Sequence, residues 1–183
     1  MKPSIVLLLP GWKNSGPDHW QSRWEVALGH IRVQQHDWER PLRGDWLMQL
    51  EQAVLKGSAI TLVAHSLGCQ LVAAWAAHSR NAQRVRAALL VAPSDVEREE
   101  ARPLLPSWSP IERQKLPFQS ILVASQNDPF CSFTRSQQFA HNWGAELVDL
   151  GLMGHMNTQS GLGDWPQGQA LLDRLQRPHR GQI

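Results

Sequence analysis

The chain has 183 residues, 42% of them hydrophobic, and a formal net charge of +2. That length and apolar content suit one folded domain, residues 1–183, with a sizeable core. Lys and Arg are not clustered and not interleaved with aromatics, which argues against a nucleic-acid groove.

The first apolar run, Ile5 to Leu9, is too short for a membrane span or a signal-peptide core. The expectation is a cytoplasmic protein with no membrane and no nucleic-acid partner. Two cysteines, Cys69 and Cys131, cannot build a disulfide framework and are expected reduced and partly buried. Nine Trp stand against no Tyr and four Phe. Most should be core residues, and some could line a pocket.

Strand and helix patterns alternate along the chain. A strand over Ile5–Leu9 leads through Pro10-Gly11-Trp12 to a helix near Trp20–Leu28. A second strand, about Ile31–Gln35, precedes a helix near Asp45–Leu55. The third strand is Ala59–Ala64, followed by a helix to about His78. The fourth is Ala87–Ala92, and a long loop runs from Pro93 to Pro117. A strand at Ser120–Ala124, a helix near Phe133–Trp143, a strand at Glu146–Leu150 and a helix near Gln167–Leu175 complete the pattern. The tail, 177–183, is expected to fray. This alternation predicts an α/β fold: a six-stranded parallel sheet with helices on both faces. The predicted order is 2-1-3-4-5-6. It puts the ligand crevice between strands 1 and 3, beyond their carboxyl ends.

Ala64-His65-Ser66-Leu67-Gly68 lies between the third strand and its helix. It matches the G-x-S-x-G nucleophile elbow, with Ala in place of the first Gly. Small residues flank Ser66 because strand and helix cross closely there. The plainer alternative is a strand-to-helix turn with Ser66 as N-cap.

A serine hydroxyl needs an adjacent base. Among eight histidines, His155 lies in the Gly-rich loop Gly151–Asn157 after the last strand, on the same sheet edge as Ser66. The side chain of His65, inside the elbow, should point away from that of Ser66. The acid that orients the imidazole is expected to be Asp128, in Ser125-Gln126-Asn127-Asp128-Pro129. Pro129 keeps it extended. The plainer reading is a turn Asp, and Asp95 and Glu97 are the rivals. Asp149 falls inside a strand. The chain order Ser, Asp, His matches that of α/β-hydrolases. Oxyanion donors are expected from the backbone N–H groups of Leu67 and Trp12, with Gly11 giving the second loop its freedom. Pro10-Gly11 could equally be an ordinary turn.

Together with Gly16-Pro17-Asp18-His19-Trp20, Trp38-Glu39-Arg40-Pro41, Gly154-His155-Met156-Asn157 and Gly161-Leu162-Gly163-Asp164-Trp165-Pro166, these segments are similar to one known group. The chain resembles the small α/β-hydrolase family of YdeN-type bacterial proteins and retinoblastoma-binding protein nine, over almost its whole length. The resemblance implies a minimal α/β-hydrolase fold and a Ser66-Asp128-His155 triad. Ala64 departs from the Gly of many relatives. No L-x-C-x-E segment is present, so pocket-protein binding is not supported.

The expected activity is hydrolysis of a small-molecule ester or amide through an acyl-enzyme, with no metal or organic cofactor. A non-catalytic interaction module on the same scaffold and an acyltransferase are the alternatives. The Pro93–Pro117 segment, with five prolines and Trp108, is expected to wall the substrate pocket. Gly11, His65 and Trp108 are the candidate substrate contacts. Trp12, Trp20 and Trp38 are weaker candidates for the opposite wall.

Overall fold

The computed structural model describes residues 5–177. Six strands run parallel in one sheet: β1 (Val6–Leu9), β2 (Ile31–Arg32), β3 (Ile60–His65), β4 (Val85–Val91), β5 (Gln119–Ala124) and β6 (Glu146–Asp149). Their order is β2-β1-β3-β4-β5-β6, as predicted. Five helices connect them: α1 (Trp20–Leu28), α2 (Arg43–Leu55), α3 (Leu67–His78), α4 (Phe133–Trp143) and α5 (Pro166–Gln176).

The period of two along each strand divides the core. Leu7, Leu9, Leu62, Ala64, Leu90 and Leu122 point to one face, where Trp46 and Leu50 of α2, Leu71 of α3 and Phe139 and Trp143 of α4 meet them. Val6, Leu8, Val63, Leu89, Ile121 and Val123 point to the other, against Trp20 and Trp24 of α1 and Leu172 and Leu175 of α5. Each buried Leu, Val, Ile or Phe among them contributes about 1.5–3 kcal/mol relative to exposure. Apolar residues on both faces explain why the central strands read as unbroken hydrophobic runs.

β2 is shorter than the expected Ile31–Gln35. It is an edge strand paired only with β1. Val33 N–H still reaches Leu8 O at 2.9 Å. Beyond it the chain turns at Asp37, whose carboxylate takes the N–H groups of Glu39 and Arg40. α5 starts at Pro166, where a missing N–H costs nothing. Of the expected frayed tail, Arg177 caps α5 through its N–H to Asp173 O, and 178–183 lie outside the described residues.

The segment after β4 is not a loose loop. Arg135 on α4 pairs with Asp95 and Glu97, and Glu97 also accepts the N–H of Ile111. Among the described residues no helix is long and apolar enough to cross a membrane. Both cysteines are fully rather than partly buried, and both thiols are free. Burial raises the pKa of each, that of Cys131 to about 12.

Candidate active site

Ser66 sits between β3 and α3 with φ 57° and ψ −119°, a strained conformation for a residue with a side chain. The sharp turn is held by Ser66 N–H to Val91 O and Cys69 N–H to Ser66 O, both at 3.0 Å. It also explains Gly68: a Cβ there would lie 2.2 Å from Leu9 O and 3.0 Å from Pro10 O. Ala64, by contrast, is accommodated fully buried in the core. Gly11 is crowded from the other side. Its Cβ would stand 2.8 Å from Ser66 Cβ and 3.2 Å from Ser66 Oγ.

Ser66 Oγ lies 2.9 Å from His155 Nε2. His155 Nδ1 is 2.9 Å from each carboxylate oxygen of Asp128. An ionised carboxylate only accepts, so Nδ1 carries the proton and Nε2 is left to accept from the hydroxyl. The Asp128 side chain is 2% exposed. Its Oδ1 also accepts the N–H of Phe130, and the Phe130 ring packs edge-on to His155 at 4.6 Å.

Two loops are zipped together to bring these groups into line. Leu150 N–H bonds Ala124 O, and Gln126 N–H bonds Gly151 O at 2.7 Å. Ser125 Oγ accepts from Met153 N–H, and Asn127 Oδ1 accepts from Gly154 N–H. Gly154 has φ 60°, and Met156 follows at φ 48°. Trp20 Nε1–H donates to Met156 O across the sheet face. The rivals for the acid are employed elsewhere. Asp95 and Glu97 pair with Arg135, and Asp149 takes Gly151 N–H and the Gln126 amide.

A cavity of roughly 700 Å³ opens over Ser66. Gly11, Trp12, His65, Leu67 and His155 all line it. Among the described residues, no acceptor meets the backbone N–H of Trp12 or of Leu67. Trp108 does not line it. This is a correction to its expected role as a substrate contact. It is buried edge-on against Trp46, and its Nε1–H donates to Pro41 O. An indole that large is worth more in the core, with its one donor satisfied, than at a solvated wall. The Pro93–Pro117 segment meets the cavity through Val96, Arg98, Ala101, Leu104 and Leu105 instead. Trp20 is buried in the core and Trp38 is half-buried against it, and neither lines the cavity.

Two buried histidines back the site. His65 Nε2 donates to the carbonyl of His155 at 2.9 Å. His19, the N-cap of α1, accepts Gln21 N–H on Nδ1 and packs edge-on to His65 at 4.8 Å. Burial holds His65 well below the usual histidine range, and burial with the nearby Arg32 charge lowers His19 to about 4. Both therefore stay neutral beside His155. The sequence reading missed these supports, because each joins segments far apart in the chain.

A parallel sheet wound in this order, with a serine on the strained turn after its third strand, defines the α/β-hydrolase class. The serine hydrolase family model matches residues 6–174, and the chain belongs to that family. Among solved structures, a protein described as a YdeN-like hydrolase from Pectobacterium atrosepticum is 29% identical. It superposes with a TM-score of 0.84 over 96% of this chain and 91% of its own. The ydeN product of B. subtilis is 20% identical, with a TM-score of 0.76 over 94% of this chain and 98% of its own. Esterase 2 of Thermogutta terrifontis shares the fold at 18% identity, with a TM-score of 0.67 over 93% of this chain and 81% of its own. No curated protein matches the chain.

Proposed function

We propose that this serine hydrolase cleaves a carboxylic ester or amide of a small molecule through an acyl-enzyme on Ser66. The observation that carries the reading is the unbroken chain from Ser66 Oγ through His155 to Asp128, each link 2.9 Å.

His155 Nε2 takes the Ser66 proton as Oγ attacks the carbonyl carbon. Positive charge then builds on an imidazole whose Nδ1–H already points at the Asp128 carboxylate. The negative charge goes to the carbonyl oxygen. Leu67 N–H at the first turn of α3, where the helix dipole favours an anion, and Trp12 N–H receive it, a role supported by both residues lining the cavity. Collapse of the tetrahedral intermediate expels the alkoxide or amine, which takes the proton from His155 Nε2. A water then enters, gives its proton to the same nitrogen and attacks the acyl carbon. Ser66 leaves with that proton, and a carboxylic acid is released.

The kinetic test compares wild type with Ser66→Ala and Asp128→Asn on activated esters. Ser66→Ala should lower kcat by about 10⁵-fold or more, and Asp128→Asn by about 10⁴-fold with the fold intact. Turnover by Ser66→Ala close to wild type would remove the proposal.

A further inference from the structure

The cavity over Ser66 has two unlike walls. The segment after β4 presents Val96, Ala101, Leu104 and Leu105. Val96 and Leu105 are buried, while Leu104 is 59% exposed, so the apolar strip runs from the floor of the cavity to solvent. The charged groups of this segment, Asp95, Arg98 and Glu100, border the strip and are held by partners along its edge. Asp95 pairs with Arg135, and Arg98 donates to Pro129 O and faces Glu100. Phe130, 45% exposed, continues the apolar lip over His155. The opposite wall carries most of the polar groups, with Trp12 and Lys13 beside them. The loop that carries His155 also supplies Asn157, Thr158 and Gln159, and Asn14 faces the cavity from the loop after β1.

The chemistry of the triad orients a substrate between these walls. The leaving atom must reach His155 Nε2 to be protonated, so the leaving group lies along the loop of His155. The acyl part extends away from it.

We infer, resting on the hydrolase reading above, that the substrate joins an apolar acyl chain longer than acetyl to a small hydroxylated alcohol. The chain lies on Val96, Ala101, Leu104 and Leu105. The alcohol faces Asn157, Thr158 and Gln159, whose amides and hydroxyl replace the water it loses. An apolar leaving group would strip water from those side chains without returning hydrogen bonds. An acetyl group would leave the leucine wall hydrated.

The test is kcat/KM across 1-acyl glycerols of two, four, six and eight carbons, beside the methyl esters of the same acids. Each methylene moved from water onto the wall should raise kcat/KM up to about fourfold. Over the four methylenes that separate them, the six-carbon ester should exceed the acetyl ester by tens-fold, up to about 250-fold. Leu104→Ser, a change at an exposed position, should lower the eight-to-two-carbon ratio about fivefold or more. Val96→Ala should lower the six-to-two-carbon ratio in the same direction. Glycerol esters should exceed methyl esters several-fold at each length.

A flat or falling chain-length profile, with turnover still dependent on Ser66, overturns the acyl assignment and leaves the hydrolase reading standing. Unchanged ratios in both variants overturn the wall. Equal or better turnover of methyl esters overturns the alcohol assignment. No Ser66-dependent turnover of any ester overturns the inference together with the reading beneath it.

Discussion

His65 donates from Nε2 to the carbonyl of His155, so the residue before the nucleophile also fixes the backbone of the proposed base. His65→Phe keeps a ring there and leaves that carbonyl without its donor, a loss of about 1–3 kcal/mol. The expected result is a kcat about tenfold lower with little change in KM, partly restored in His65→Gln, which keeps a donor. An unchanged kcat in His65→Phe would contradict the positioning role. Ser66, Asp128 and His155 were legible because each carries a local mark: small neighbours, a following proline, a preceding glycine. His65 carries none, since its partner lies 90 residues away. The pairing of Arg135 with Asp95 and Glu97, which takes the rival acids away from His155, is equally remote.

The elbow and the loop of His155 behave as elements with separate supports. Gly68 has no room for a methyl group because Leu9 O would stand 2.2 Å from it. Gly68→Ala should therefore cost about 3 kcal/mol or more, read as a lower urea midpoint, because backbone rather than a flexible side chain must yield. A midpoint equal to wild type would mean that α3 can slide away from β1. The loop of His155 leans on Trp20 through Met156 O. Trp20→Phe removes that donor, and its effect on kcat should exceed its effect on KM. Element order and sheet topology could be read from period-two apolar runs. Boundaries were less secure where tertiary pairing decides them. β2 stops after two residues because one neighbour holds it, and Leu42 rather than a polar residue caps α2 without a side-chain bond.

Across the whole molecule the indoles tie loops to the core. Trp24 donates to Asp164 O, Trp46 to Asp37 O, Trp108 to Pro41 O and Trp143 to Glu112 O. The abundance of Trp was visible in composition, but which loops it pins depends on contacts between distant segments. Acid should weaken this fold. His19 is neutral when folded down to about pH 4, whereas the unfolded chain protonates it near the ordinary histidine value of 6.5. Above pH 6.5 it is neutral in both states and adds no pH dependence. Below that, only the unfolded state takes up the proton, and stability falls by about 1.4 kcal/mol per pH unit. The loss at pH 5 is roughly 2 kcal/mol. His65 acts in the same direction. Urea midpoints at pH 7 and pH 5 should differ accordingly. His19→Asn, which retains an N-cap acceptor, should narrow the gap. Equal midpoints in the wild type would contradict the burial of both rings as neutral groups.

The most direct test of the proposed chemistry is peptide mass mapping after reaction with a serine-directed fluorophosphonate. Ser66 should carry the adduct, and His155→Ala should slow its formation by orders of magnitude. An adduct on another residue, or equal labelling of Ser66→Ala, would contradict the assignment of Ser66 as the nucleophile.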